Sequence, residues 1–105
     1  MSFKEREEAF ESKFKHDEDM RFRATARRDR LFGLWVAEQL GLKGDEAEHY
    51  ARSVIQVNMK AAGDDDVFEK VEADLQESGV EISRHRLQKR LDECFSQAKQ
   101  QLMSE

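Results

Sequence analysis

Residues 83–103 read SRHRLQKRLDECFSQAKQQLM, and the apolar letters in this stretch recur at the spacing of a helix that packs one face against a core. Ser83 is a suitable N-cap residue, because its side-chain oxygen can accept a backbone N–H that the first helical turn leaves unpaired. The apolar positions are Leu87, Leu91, Cys94, Phe95, Ala98 and Leu102. The pattern predicts an amphipathic helix at the end of the chain.

A second helical pattern runs from about residue 18 to residue 40. Asp17 precedes it as a candidate N-cap, and Gly41 follows it, where a helix commonly ends in a left-handed residue. We expect the apolar residues of this segment to lie in the core, from Phe22 at its start to Trp35 as a large aromatic anchor.

Two further helices are predicted between these segments. One begins near Asp45 and ends near residue 63, and the next runs from residues 64–66 to Gly79. The aspartates at 64–66 suit a helix start, because carboxylates cap free amides and complement the positive end of the helix dipole. The connections between the four segments are short, which favours antiparallel neighbours, so we predict an all-α four-helix bundle formed by residues 19–105.

The segment before this bundle, residues 1–18, has a thinner apolar stripe. Phe3, Phe10 and Phe14 line up on one side of a helix that is otherwise charged. In one interpretation this helical segment packs along the bundle, and in the other it binds an apolar groove of a partner protein. The sequence pattern leaves both open. We expect the segment to be more mobile than the bundle, because it buries little apolar surface.

Composition excludes several classes of function. The chain of 105 residues has 18 basic and 23 acidic side chains, a formal net charge of −5, which argues against nucleic acid or an anionic membrane as partner. Cys94 is the single cysteine, so an internal disulfide is excluded. Residues 1–14 resemble neither a secretory signal nor a membrane span, and we expect a cytoplasmic protein without direct membrane insertion.

The sequence shows no constellation typical of an enzyme or a metal site. His16, His49 and His85 have no carboxylate or cysteine at a metal-ligand offset, and we interpret them as surface or capping residues. Cys94 follows His85 by nine residues, about 13 Å along a helix axis, so the two cannot act as a nucleophile and its base. Cys94 is better explained as a small buried residue. We therefore predict a protein that is not an enzyme and needs no cofactor or metal.

Arg27, Arg28 and Arg30 form the most concentrated basic cluster, which Asp29 interrupts. A cluster of this kind can contact phosphate, but no glycine-rich phosphate loop lies nearby. We interpret it as a solvated helix face with salt bridges.

Two blocks of the sequence resemble one protein family. They are residues 5–14, EREEAFESKF, and residues 26–38, ARRDRLFGLWVAE. In this order, and at this distance from the start of the chain, they resemble the zeta inhibitor subunits of alphaproteobacterial F-type ATP synthases. The similarity extends through Gly41 and the helix start at 64–68 to the last helix. The resemblance implies a four-helix bundle whose N-terminal segment is the inhibitory part.

The resemblance also implies a partner and a set of contact residues. The N-terminal helix would enter the catalytic head of the ATP synthase at an alpha/beta subunit interface near the central stalk and block ATP hydrolysis. That places the protein at the cytoplasmic face of the inner membrane. The implied contact residues are Phe3, Arg6, Glu7, Phe10, Lys13, Phe14 and Asp17. The alternative is a bundle that senses an adenine nucleotide or another anion, bound weakly through Arg27, Arg28 and Arg30.

Overall fold

The computed structural model describes residues 17–60 and 63–105, and the regular secondary structure in these two ranges is helical. The helices are α1 (Glu18–Gln39), α2 (Asp45–Lys60), α3 (Asp65–Glu77) and α4 (Arg84–Met103). They confirm the all-α four-helix prediction and the predicted starts of all four segments. The expectations for residues 1–16, including their mobility, lie outside the described residues.

The predicted capping residues fix the helix ends. The Asp17 carboxylate accepts two backbone N–H groups of the first turn of α1, at 3.0 and 3.2 Å. The Ser83 hydroxyl accepts one from the first turn of α4, at 3.2 Å. Gly41 follows α1 with a φ of 79°, a left-handed conformation that costs glycine little because it has no Cβ. All three are confirmed predictions of the sequence.

Helix α1 is the centre of the bundle, since it packs against each of the other three helices and most extensively against α2 and α4. Along the α1–α4 interface, Ala24 packs with Leu102 at one end. The Arg90 guanidinium lies 5.5 Å from the centre of the Trp35 ring at the other. The two helices are therefore antiparallel.

The main core contains residues from all four helices, with Phe32 at its centre. Its ring meets Phe68 of α3 edge to face, with the ring centres 6.3 Å apart. The buried members of this core are Phe32, Val36, Val54, Val67, Phe68, Val71, Leu75, Leu87, Leu91 and Cys94. The last helix thus contributes the stripe that its sequence predicted.

Two aromatic residues of α1 are less buried than the sequence predicted. Phe22 is 59% exposed rather than buried. Asp29, seven residues further along the same side of α1, is 1% exposed, so Phe22 is exposed because of its place near the start of the helix and not because of the face on which it lies. Trp35 is half-buried and packs against the main core, where it stacks on Phe32 with the ring centres 6.1 Å apart, so the aromatic anchor that we expected contacts the core without being enclosed in it.

Gly33 lets α1 and α2 approach closely, a role that the sequence pattern did not predict. A Cβ placed on Gly33 would lie 2.7 Å from the Ala51 Cα, closer than the two helices can accommodate without moving apart. We expect Gly33→Ala to lower the free energy of unfolding by about 1–3 kcal/mol, because overpacking outweighs the better helix propensity of alanine. Urea unfolding would measure the change.

The matched control is Ser96→Ala on the exposed face of α4. It introduces the same residue into a helix without a neighbour to displace, and we expect it to leave stability within about 0.5 kcal/mol of the parent chain. If Gly33→Ala were as stable as this control, α1 and α2 would not be held at the close approach described.

Candidate functional site

The candidate site residues divide between described and undescribed parts of the chain. Those outside the described residues are Phe3, Arg6, Glu7, Phe10, Lys13 and Phe14. Asp17 and the three arginines lie at or within α1. Asp17 has the extended φ and ψ angles of −119° and 105°, so α1 begins only after it, and its carboxylate is engaged in capping. Asp17 is therefore the junction between the predicted inhibitory segment and the bundle.

The three arginines point to three different helices. Arg27 pairs with Glu105, just beyond the end of α4. Arg30 pairs with Glu48 of α2 at 2.7 Å. Arg28 enters the interior towards the start of α3. The cluster that the sequence suggests therefore does not form a single cationic surface, because each guanidinium is held by a carboxylate elsewhere in the bundle.

Arg28 is the centre of a buried polar network and is only 8% exposed. Its Nη2 lies 2.8 Å from Asp64 Oδ1, and its Nε donates to Asp29 Oδ1 at 3.0 Å. The guanidinium also lies 5.7 Å from the ring centre of Phe95 on α4. Our interpretation of this position as a solvated helix face was wrong, although the predicted ion pairs exist.

Asp29 is the buried acidic partner of Arg28 in this network and is 1% exposed. Its second oxygen accepts a hydrogen bond from the Asn58 amide of α2 at 2.6 Å. With Asp64 before α3 and Phe95 on α4, the network touches all four helices. Asp64 occupies the N-cap position of α3 but makes no side-chain bond to the amides there, so the predicted capping role of this carboxylate was wrong. Its oxygens go to Arg28 instead.

The charges of the network have opposing effects on its pKa values. Burial raises the pKa of Asp29 above its ordinary value, and the nearby Arg28 charge and the Asn58 hydrogen bond offset this only in part. Burial alone would lower the pKa of Arg28, but the carboxylates of Asp29 and Asp64 outweigh it, so its pKa is raised. Arg28 therefore remains cationic, and its charge is the strongest of the effects that favour the ionised form of Asp29 against burial.

The sequence contained a signal for this network that we did not use. Ala24, Arg28, Phe32 and Val36 follow one another at four-residue spacing, so the arginine occupies a position in the buried stripe of α1. A charged residue in such a stripe needs a partner from another helix, because an uncompensated buried charge is strongly unfavourable. The network thus holds the start of α3 against α1.

Two larger surface cavities are lined by acidic rather than basic side chains. One of about 520 Å³, at the start of α2, includes Asp45 and Glu46. The other, of about 580 Å³, lies at the α3–α4 connection and includes Glu72 and Glu81. Neither is lined by Arg27, Arg28 or Arg30. An anionic ligand would meet like charges in both cavities.

Tyr50, at the wall of the first cavity, belongs to a small polar cluster with α3. Its hydroxyl donates to Asp74 Oδ2 at 2.7 Å, and the same oxygen accepts from Lys70 Nζ at 3.1 Å. Burial, followed by the bond and charge of Asp74, raises the pKa of the tyrosine. The phenol therefore stays protonated at neutral pH and serves to join α2 to α3.

The histidines within the described ranges, His49 and His85, are exposed, as predicted for surface residues, and His16 lies outside these ranges. Cys94 is 1% exposed in the main core, which confirms its assignment as a small buried residue. Burial, partly offset by the charge of Arg90, raises the pKa of its thiol. Such a thiol is a poor nucleophile, since the thiolate is the reactive form.

We therefore expect Cys94 to react with a thiol reagent such as iodoacetamide at least about a hundredfold more slowly in the native protein than in denaturant. Mass spectrometry of the modified chain over time would measure the ratio. Equal rates in both conditions would mean that the core around Cys94 opens readily.

No helix in residues 17–60 and 63–105 has the length and apolar character that crossing a membrane requires.

The comparisons with known proteins agree with this architecture. A protein structure determined by solution NMR is 41% identical to this chain, with a TM-score of 0.72, over 81% of this chain and 96% of the other. The comparison with curated proteins gives no significant match. A family model described as ATPase inhibitor subunit zeta matches residues 1–101, nearly the full length. The chain therefore belongs to the zeta family of ATPase inhibitor subunits.

Proposed function

We propose that this chain inhibits an F-type ATP synthase by inserting residues 1–18 into the catalytic head, while residues 19–105 form the body that carries this segment. The observation that supports the proposal most is that the family match begins at residue 1, and so includes the aromatic stripe together with the bundle. Binding to the head places the protein at the cytoplasmic face of the inner membrane.

The body supplies a rigid support for this segment. Among the described residues, its main core is built from α1 to α4, and the capped start of α1 at Asp17 is the point at which the segment joins the bundle. A short helix by itself is only marginally stable in water until it packs against a partner. A folded body keeps such a segment attached to a stable protein before it binds.

The segment itself combines the two features that a helix bound in a groove requires. Phe3, Phe10 and Phe14 act as apolar anchors in a cleft at the alpha/beta subunit interface near the central stalk. The flanking charges orient the helix in that cleft, because charge pairs at the rim contribute more to register and specificity than to affinity. The orienting residues are Arg6, Glu7 and Lys13, together with Asp17, which caps α1 at the junction of the segment with the bundle. A helix held there opposes rotation in the direction of hydrolysis.

The experiment that tests this proposal compares ATP hydrolysis by the purified catalytic head in the presence of two chains, the intact protein and a version lacking residues 1–18. We expect the intact chain to inhibit and the shortened chain to lose inhibition. Circular dichroism of the shortened chain controls for folding of the bundle. Equal effects of both chains on hydrolysis, at up to micromolar excess, would remove the inhibitory segment from the proposal.

A further inference from the structure

A shallow apolar groove lies between the start of α1 and the end of α2. Phe22 and Ala26 line one side, and Ile55 and Met59 line the other, around a volume of about 250 Å³. Phe22 is 59% exposed and Met59 is 65% exposed, and they are the exposed large hydrophobic side chains of the described residues. Because the two share one groove instead of being scattered over the surface, they indicate a site that a partner covers.

Basic side chains flank this groove. Arg52, Ile55 and Met59 follow one another along α2 at spacings of three and four residues, so the arginine continues the apolar stripe at one end. Lys60 follows Met59 at the other end. Arg52 and Lys60 are exposed, and neither forms an ion pair with another described residue. A chain with a net charge of −5 therefore presents two uncompensated cations beside its exposed apolar groove.

The groove suits a protein side chain better than a small-molecule ligand. Its volume is below the range of about 300–1,000 Å³ that is usual for ligand pockets. The polar groups that line it are already bonded to each other, since the Asn58 amide donates to Asp29 at 2.6 Å. The matching occupant therefore has an apolar side chain for the groove and carboxylates that can pair with the flanking cations.

The position of the groove indicates where such a partner lies. Phe22 follows Asp17 by five residues, about 8 Å along the helix axis. Asp17 is also the residue at which the proposed inhibitory segment joins α1. A cleft that takes up residues 1–18 therefore has its opening close to the groove.

We propose that the groove is a second contact with the ATP synthase, in which an apolar side chain flanked by aspartate or glutamate, at the opening of the cleft in the catalytic head, packs between Phe22 and Met59. The inference rests on the proposed function for the identity of the partner. Two contacts on one chain strengthen each other, because binding of the first raises the effective concentration of the second. The bundle then contributes to affinity and fixes the orientation of the bound protein.

Binding of full-length variants to the purified catalytic head, followed by surface plasmon resonance, tests the apolar part of this contact. We expect Met59→Ser to raise the dissociation constant by about tenfold, because it removes an exposed apolar anchor. The matched control is Gln56→Ser, an exposed position of α2 outside the stripe, which should bind within about twofold of the parent chain. Circular dichroism would verify that both variants fold.

Reversal of one flanking charge tests the electrostatic part. We expect Arg52→Glu to lower the association rate constant by roughly tenfold at low salt, and the difference to shrink as salt is added. Lys89→Glu changes the net charge equally on the exposed face of α4 and should slow association by less than about threefold.

Three outcomes would overturn the inference. Parent-like affinity of Met59→Ser would exclude the groove as a contact, while the proposed inhibition by residues 1–18 would stand. Equal slowing by Arg52→Glu and Lys89→Glu would reduce the role of charge to a general attraction. If sedimentation showed a dimer of the parent chain that Met59→Ser converts to a monomer, the occupant would be a second copy. Absence of any binding by the parent chain would instead remove the proposed function, and the second contact with it.

Discussion

Replacement of Arg28 by leucine is expected to lower the free energy of unfolding by about 3–5 kcal/mol at neutral pH, because it leaves the buried Asp29 without its cation. Asp29 is 1% exposed, and among the described residues the Asn58 amide would be its remaining hydrogen-bond partner in the variant. Asp64 also loses its partner, which frees the start of α3 from α1. Urea unfolding at pH 7 would measure the loss.

The same variant should show a distinctive dependence on pH. The pKa of Asp29 in the folded protein is already above its ordinary value because of burial, and it rises further when Arg28 is removed. The folded state then binds the proton more tightly than the unfolded state does. The contribution of Asp29 to stability is therefore fully present below its unfolded pKa, and it is lost as pH rises through its folded pKa. The difference between the variant and the parent chain should shrink on acidification.

Arg27→Leu provides the matched control. Arg27 is the preceding residue in α1, and its pair with Glu105 is partly exposed. We expect this change to cost less than about 1 kcal/mol and to show no comparable recovery at low pH. Equal losses from the two variants would mean that the buried network is no more important to the bundle than a surface ion pair.

The double change Phe10→Ser and Phe14→Ser is expected to raise the concentration needed for half-inhibition of ATP hydrolysis by roughly a thousandfold. A buried aromatic anchor contributes about 2 kcal/mol or more to binding, and each 1.4 kcal/mol corresponds to about a tenfold change in affinity. Titration of the purified head with the full-length variant would measure the effect. We expect the stability of the bundle to stay the same, since α1 to α4 supply a core among the described residues.

A control on the same segment separates loss of the anchors from a general effect of substitution. Ser12→Ala changes a residue outside the aromatic stripe, and we expect inhibition within about threefold of the parent chain, since most contacts around an anchor are nearly neutral in energy. Retention of full potency by the double serine variant would exclude the phenylalanines as anchors.

Much of the fold follows from local chemistry in the sequence. The starts of α1 and α4 were predicted from Asp17 and Ser83, because an N-cap bonds to amides only a few residues away. The stripe of α4 was predicted from its spacing alone. These features depend on neighbours within one turn or on one helical face, which periodicity and capping rules describe.

The features that were missed depend on residues far apart in the chain. Arg28 is buried because Asp64, 36 residues away, and Asn58 and Phe95 on other helices compensate the polar network. A pattern along one helix cannot show such partners. Gly33 was overlooked for the same reason, since its role depends on the backbone of Ala51 in α2.

The candidate anion site illustrates a further limit of sequence patterns. Arg27, Arg28 and Arg30 are close in sequence, but Arg28 points about 100° away from Arg27 and about 160° away from Arg30. Arg27 and Arg30 are neighbours on the helix surface, yet their side chains pair with carboxylates on opposite sides of α1, at Glu105 and Glu48. Arg27 pairs with Glu105, Arg28 with Asp64 in the buried network, and Arg30 with Glu48. Closeness in sequence therefore indicated a cluster of cationic side chains that does not exist as one surface in the folded bundle.

Photo-crosslinking to the ATP synthase tests most directly whether residues 1–18 are the part that binds. A photoreactive phenylalanine analogue would replace Phe14 in the full-length chain, and a second chain would carry it in place of Gln97 on the exposed face of α4. Both would be irradiated with the intact synthase during ATP hydrolysis. We expect covalent adducts of the position 14 chain with the alpha or beta subunit and few from position 97. Adducts that formed equally from both positions, or from position 97 alone, would contradict insertion of the N-terminal segment into the catalytic head.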